Sequence, residues 1–388
     1  MSDATTFDAI VIGGGIIGCN IANALSARKQ RVALLEASEI GSGTSANSFA
    51  WINATSKLNS EEYHRLNALG LHTYLALARQ WGEKRIGLHL GGTLEWASDA
   101  DPAALESLRA KAGKLKAWDY PVAWVTTSEL RALEPHVQFA DTAQGLYALA
   151  DPWLDVPVFL DFLKSRMIET GVAVFEHTAA RELIIDDDGK VLGVETSNAT
   201  LTANQVVLAT GPSTPDVLAE LTGYEGYSAR FPMTRSPGLL VTTPAEEHRQ
   251  LAQHVLYDYD AGVHLRPGGS GGLVIGADET DGLVEEDSDL ETQRKAAHRL
   301  LEKTQAMLPD FEGPSVLDRC SLRIGIRAVP ADGDSIAGPL PSSEGLFVVC
   351  THSGVTMGPA IGNLTADAVI TGQLPKQFAP FGLERFQM

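Results

Sequence analysis

The sequence predicts a doubly wound α/β unit that binds a dinucleotide, joined to a second domain built on an antiparallel sheet. Three features of the 388 residues point there. A short apolar run, Ala9 to Ile12, leads into Gly13-Gly14-Gly15-Ile16-Ile17-Gly18 and then into a helical pattern. The next apolar run, Val32 to Leu35, ends on Glu36, where such a unit places an acidic residue. Later, Val263 to Arg266 and Leu322 to Ala328 alternate with the period of half-buried antiparallel strands. One core rarely grows past about 250–300 residues, so two domains are expected.

Each part of the first unit has a physical task. Gly13 permits the tight turn, Gly15 leaves the backbone open to a pyrophosphate, and Gly18 lets the helix pack close to the strand. The helix, from about Ile16 to Arg28, turns Ile17, Ile21, Ala24 and Leu25 inward. Its first N–H groups and dipole favour phosphate. Glu36 can accept both hydroxyl hydrogens of an adenosine ribose and would repel a 2′-phosphate.

Composition narrows the partners. The formal charge is −19, from 49 acidic and 30 basic residues, which argues against nucleic acid and anionic membrane surfaces. Met1 to Thr6 form a short polar leader, and no apolar run reaches the roughly 18–20 residues of a membrane span. Cys19, Cys320 and Cys350 are scattered, without metal or disulfide spacing. A cytoplasmic protein without a metal is expected.

After Glu36 and Ala37, the stretch Gly41 to Ser48 is rich in donors and small residues. Ser42, Gly43, Thr44, Ser45 and Asn47 suit the polar tail of a ligand, and Phe49, Ala50 and Trp51 suit its flat end. This stretch, together with the strand-glycine-helix-Glu unit, resembles the FAD-dependent amine oxidoreductases. That family includes D-amino acid oxidase, glycine oxidase, sarcosine oxidase and the D-amino acid dehydrogenases. The resemblance covers nearly the whole chain. It implies a Rossmann-like, GR2-type FAD domain (1–51, 141–231 and 321–388) and an inserted α+β substrate domain (52–140 and 232–320).

Glu61 to Trp81 and Ala103 to Trp118 carry helical patterns without evident chemistry, and Ser128 to Leu130 begin a third helix. His64 and His72 are expected on the solvated surface. Asp155 and Pro157 start a helix that Gly171 ends. Strands follow at 172–175, 182–185, 191–194 and 205–211, with the hairpin turned at Asp188-Gly189. The resemblance implies that Ala180 lies beside the adenine and Thr210 and Gly211 near the phosphates.

In the second half, strands are expected at 231–243, 256–259, 263–267 and 272–276, with Tyr257, Tyr259 and His264 as substrate-pocket candidates. Strand 322–328 places Arg323, Gly325 and Arg327 on one face, where a guanidinium fork can grip a carboxylate. The resemblance assigns that task to Arg327, ahead of Asp332-Gly333, while Arg323 could face a pyrophosphate, an acidic neighbour or solvent. The last strand, 346–350, runs into a loop. Gly358-Pro359 then open a helix that extends to Thr371. The resemblance implies that Ser353, Gly354, Val355, Thr356 and Met357 face the flavin edge that gains negative charge. His352 is expected to be a structural, hydrogen-bonded histidine.

The implied reaction is oxidation of an amino-acid C–N bond, with hydride passing from the α-carbon to flavin N5 and the imine hydrolysing to a keto acid and amine. Arg327 holds the carboxylate, while Tyr257, Tyr259 and Trp51 shape the pocket. FAD is expected to be non-covalent, because Gly325 stands where some members carry a linking cysteine and residues 41–53 contain no histidine. O2, an electron carrier or a quinone would accept the electrons. A homo-oligomer and a subunit of a heteromeric dehydrogenase both fit. Two alternatives remain: a 2-hydroxy acid dehydrogenase using His352 or His264 as base, and a non-catalytic flavin-binding subunit or assembly factor.

Overall fold

Short runs of Val, Ile, Leu and Ala, buried on both sides, make the parallel strands at the centre of the molecule. A computed structural model describes residues 5–221, 225–245, 251–269, 271–341 and 343–386. Of the polar leader, only Thr5 and Thr6 fall within them.

The first sheet has six strands in the order Ile336–Pro339, Leu346–Cys350, Val206–Leu208, Ala9–Ile12, Val32–Leu35 and Ala173–Phe175. All neighbours are parallel except the first pair. Period-2 alternation divides the side chains between two cores. Val11, Leu34, Val207 and Val349 pack under helices, while Ile10, Ile12, Leu35 and Leu208 pack under a four-stranded sheet that contains Ala180–Ile185 and Val191–Thr196.

Three helices meet on the first of these faces. Ile16–Ala27 lies against Gly354–Thr371 so closely that a Cβ at Gly362 would stand 2.7 Å from the Asn20 carbonyl oxygen. Glu61–Trp81 touches the same helix at Gly70, whose Cβ would stand 2.3 Å from the Thr356 carbonyl oxygen. The last helix begins at Gly354 rather than at the expected Gly358-Pro359, and it continues through Pro359. A proline there leaves the Val355 carbonyl without its helical donor. The Tyr74 hydroxyl donates to that oxygen instead, at 2.8 Å.

The second sheet has eight strands, running from Ser321–Pro330 through Met233–Thr242, Leu273–Ala277, Val263–Pro267, Val255–Asp258, Thr93–Ala97 and Gln144–Ala148 to Ala123–Val125. Helix Leu290–Met307 covers one face through Leu300 and Leu301. Strands Gln144–Ala148 and Ser321–Pro330 both belong to this sheet, so the expected divisions at 141 and 321 place two of its strands on the nucleotide-binding side.

Two local expectations give way to packing. Asp155 occupies the N-cap position of helix Val156–Thr170, but its side chain makes no capping bond. His64 is 2% exposed, with Nδ1 3.0 Å from the Ala54 carbonyl and its ring against Trp118 and Tyr120. The helical stripe that buries Tyr63 and Leu66 carries it inward.

Asp151 ties the crossing between the sheets. It is fully buried and accepts hydrogen bonds from the Tyr120 and Thr55 hydroxyls, yet burial pushes its carboxyl up to about 7. A carboxyl raised in the folded state gives its full stability below its unfolded pKa, and that contribution fades as pH rises through about 7. Three pKa units correspond to at most about 4 kcal/mol. Asp151→Asn cannot ionise. Thermal unfolding at pH 5 and pH 8 should show the wild type losing stability at the higher pH while the variant holds its own.

Candidate functional site

The glycine turn and the alternating strand at 321–330 open onto one elongated cavity of about 1230 Å³. At its nucleotide end Gly13 has φ +108°, and a Cβ there would stand 2.5 Å from the Ala209 carbonyl oxygen. Gly18 does not line the cavity; its missing Cβ admits the Gly13 carbonyl, 1.8 Å from where the Cβ would stand. The Glu36 carboxylate accepts from the Gly14 N–H at 2.7 Å and the Ser38 N–H at 2.8 Å, and the Ser45 hydroxyl accepts from the Ile16 N–H at 2.9 Å. The N–H groups of Gly15 and Ile17 have no partner among the described residues and belong to cavity-lining residues. Ile17, expected in the core, is half-buried and lines the cavity.

Loop 41–48 is pinned from behind. Thr44 Oγ1 donates to the Ile326 carbonyl at 2.6 Å, and Arg323 Nη1 donates to the Ala46 carbonyl at 2.9 Å. The Asn47 carbonyl oxygen fills the space where a Cβ of Gly325 would stand, at 2.3 Å. Arg323 is thus a clamp on the loop and lies off the cavity.

Most of the other candidates share one cavity. Ala37, Ser42, Gly43, Phe49, Ala50, Ala180, Thr210 and Gly211 all line the cavity. Trp51 lines it too, with its carbonyl accepting from Thr356 Oγ1 at 3.2 Å and its indole N–H buried without a partner. Ser353, Gly354, Val355 and Thr356 bring the N-terminus of the last helix to the same space, with the Ser353 hydroxyl 2.7 Å from that of Tyr63. Met357 is fully buried in the helix core and does not reach the cavity.

At the far end Tyr257 stacks on His264 with ring centroids 5.8 Å apart, and Phe49 meets His264 edge-on at 4.6 Å. His264 Nδ1 is buried without a partner among the described residues, and burial pulls the ring down to about 4. His352 is not the hydrogen-bonded histidine expected: it lines the cavity and makes no bond to the described residues. Its side chain is exposed to the cavity, yet desolvation by the surrounding wall and the charges of Lys57 and Arg327 lower its pKa.

Arg327 also lines the cavity, but its fork is partly used. Nε and Nη2 bond to Ser236 and the Pro237 carbonyl, and Nη2 lies 3.0 Å from Asp281 Oδ2. The hydrogens of Nη1 remain for a ligand. Eight charged cavity-lining residues escaped notice in the sequence: Lys57, Lys111, Lys114, Arg181, Asp216, Glu220, Asp278 and Asp281. The signal was present in one of the helices read as having no chemistry, since Ser107, Ala110, Lys111 and Lys114 follow helical spacing and all line the cavity. Among the described residues no group of three or more His, Cys, Asp or Glu could hold a metal, and no helix is long and apolar enough to cross a membrane.

Known proteins with this architecture can now be compared. Glycine oxidase of Geobacillus kaustophilus (strain HTA426) is 26% identical over 385 residues, covering 98% of this chain and 97% of that protein. The crystal structure of glycine oxidase from that species superposes with a TM-score of 0.80 at 24% identity, covering 98% of this chain and 99% of the other. L-proline dehydrogenase from P. horikoshii superposes with a TM-score of 0.83 at 18% identity, covering 99% and 98%. Residues 8–368 match the model of the family described as DAO, FAD dependent oxidoreductase, and the chain belongs to that family.

Proposed function

We propose that the chain oxidises the C–N bond of a small amino or imino acid whose α-carboxylate is held by Arg327. The observation that carries this is the open Nη1 end of Arg327 on the wall of the cavity that begins at the glycine turn. The relatives support the class: one is named for glycine and another for L-proline.

The residues fit FAD. A Cβ at Gly15 would meet only the Ser45 hydroxyl, at 3.3 Å, so its backbone is open to a phosphate. The unpartnered N–H groups of Gly15 and Ile17, with Thr44 and Ser45 beside them, would hold the pyrophosphate. Glu36 keeps lone pairs for the ribose. Trp51, with an orphaned indole N–H, and the N-terminus at Ser353 to Thr356 would flank the ring. FAD supplies the two-electron acceptor when bound; the protein orients the substrate and excludes water. The division into an FAD domain and a substrate domain belongs to this proposal, drawn by sheet membership.

Arg327 would fix the carboxylate, and Tyr257, Tyr259 and His264 would pack around the carbon to be oxidised. No protein base is required if the amine enters neutral. A 2-hydroxy acid would need a base for its hydroxyl proton, and both cavity histidines have lowered pKa values. O2 or an electron carrier such as a quinone completes the cycle.

Three measurements test this. Anaerobic titration of the holoenzyme should bleach the flavin's visible band with at least one of D-amino acids, glycine, N-methyl amino acids or prolines. Bleaching by 2-hydroxy acids alone would move the chemistry to the C–O bond, and bleaching by neither would leave a flavin-binding subunit. Arg327→Leu should lower kcat/KM about 100-fold, as expected for losing about 3 kcal/mol of charge-assisted hydrogen bonding. Readmitting air separates an oxidase from a dehydrogenase.

Acid precipitation should release all the flavin into the supernatant, since the Asn47 carbonyl occupies the place of a side chain at 325. Flavin retained in the pellet would contradict non-covalent binding.

Burial holds Asp281 up to about 6 despite the pull of Arg327. Below that pH it is neutral, and above it the carboxylate competes with the ligand's for the guanidinium. The Kd of butyrate should therefore rise several-fold from pH 6 to pH 8, and Asp281→Asn should flatten the rise.

A further inference from the structure

The basic wall of the cavity takes no part in holding FAD or the α-carboxylate. Helix Pro102–Ala117 turns Lys111 and Lys114 to it on one face, an i, i+3 pair. Loop residues Ser56 to Leu58 complete the wall: Lys111 Nζ reaches the Ser56 hydroxyl at 3.4 Å, and Lys114 Nζ donates to the Leu58 carbonyl at 2.8 Å. Lys111 is buried and paired with Glu95 at 2.5 Å, and it also touches the Tyr259 hydroxyl at 3.2 Å.

Lys57 is different. It is half-buried and lines the cavity, and its ammonium group has neither a hydrogen bond nor an ion pair among the described residues. Burial and the neighbouring Lys111 charge pull its ammonium down to about 8. Three ammonium groups against the one carboxylate of Glu95 leave two positive charges in surplus, in a protein whose net charge is −19. An ammonium removed from water without a counter-charge is costly, and an anion arriving with a ligand offsets that cost.

Once Arg327 holds an α-carboxylate, the opposite side has no place for a second anion. Asp281 pairs with Arg327, and Asp278 accepts from the Tyr257 hydroxyl at 3.2 Å, so negative charge already crowds the Arg327 end. Arg323 faces the loop and not the cavity. We propose that Lys57, with Lys111 and Lys114, forms a second anion subsite, and that the substrate is an amino or imino acid carrying a second carboxylate. The proposal rests on the assignment of the α-carboxylate to Arg327. The acidic side then suits the amine and the basic side the distal carboxylate.

Equilibrium binding separates this from the reaction itself. Glutarate and butyrate, titrated into the holoenzyme and followed through the flavin spectrum, differ mainly in the second carboxylate. Glutarate should bind at least ten times more tightly. Lys57→Met should remove most of that preference, whereas Lys57→Arg should keep it, and the flavin spectrum confirms that each variant is folded. Equal affinities, or a preference untouched by Lys57→Met, would overturn the subsite. In anaerobic reduction, aspartate, glutamate and N-carboxymethyl amino acids of either hand should surpass alanine, glycine and proline in kcat/KM. If only the neutral amino acids reduce the flavin, the second subsite fails while C–N oxidation stands. If glutarate is preferred and no amine reduces the flavin, C–N oxidation fails while the subsite stands.

Discussion

The contact between the Asn47 carbonyl and Gly325 holds the two halves of the site in one frame. Loop 41–48 belongs to the nucleotide-binding unit, and strand Ser321–Pro330 belongs to the eight-stranded sheet. They can meet only because position 325 has no Cβ, which would stand 2.3 Å from that carbonyl. Thr44 and Arg323 fasten the loop to the same strand on either side. The loop that would cradle the cofactor's polar tail is therefore held by the strand that presents Arg327. A change of sheet orientation would move both together.

The electrostatics of the cavity follow from what surrounds it. Two helix N-termini, at Ile16 and Gly354, direct their dipoles toward it and favour negative charge at separate points. Desolvation lowers the pKa of both His264 and His352 and so favours their neutral forms. Carboxylates gather near Arg327 and ammonium groups near helix Pro102–Ala117. A ligand with charges of both signs has one favourable direction in such a space, which is how specificity arises from the difference between two poses.

Much of this was legible in the sequence wherever the cause is local. The glycine turn, the flanking strands and the helix at 61–81 follow from short-range periodicity, and they appear within a residue or two of their expected limits. The surprises depend on partners distant in the chain. Helix Gly354–Thr371 passes through its proline because Tyr74, 281 positions earlier, supplies the missing donor. His64 is buried because Trp118 and Tyr120 close over it. Lys111 and Lys114 looked like a solvated helix face, and only the approach of Ser56 and Leu58 makes them a cavity wall. Asp281 was invisible as a rival for the arginine until the short helix Asp278–Asp281 set it beside residue 327.

The register of one strand pair then sets the distance from loop 41–48 to Arg327. Met233–Thr242 and Ser321–Pro330 pair without interruption over ten residues, with Gly238 opposite Gly325 and Ser236 opposite Arg327. Gly325 and Arg327 share a face because side chains alternate along a strand, and two residues of rise separate them by roughly 6.5–7 Å. That spacing is a property of the backbone, so it does not depend on how the arginine side chain settles. A slip of one residue would turn Arg327 away from the cavity and put a side chain against the Asn47 carbonyl at the same time. The long uninterrupted ladder makes that slip improbable, and Ser236 adds to it by holding the guanidinium from the partner strand at 3.1 Å. The distance between loop 41–48 and Arg327 is in this way built into the sheet before any ligand arrives.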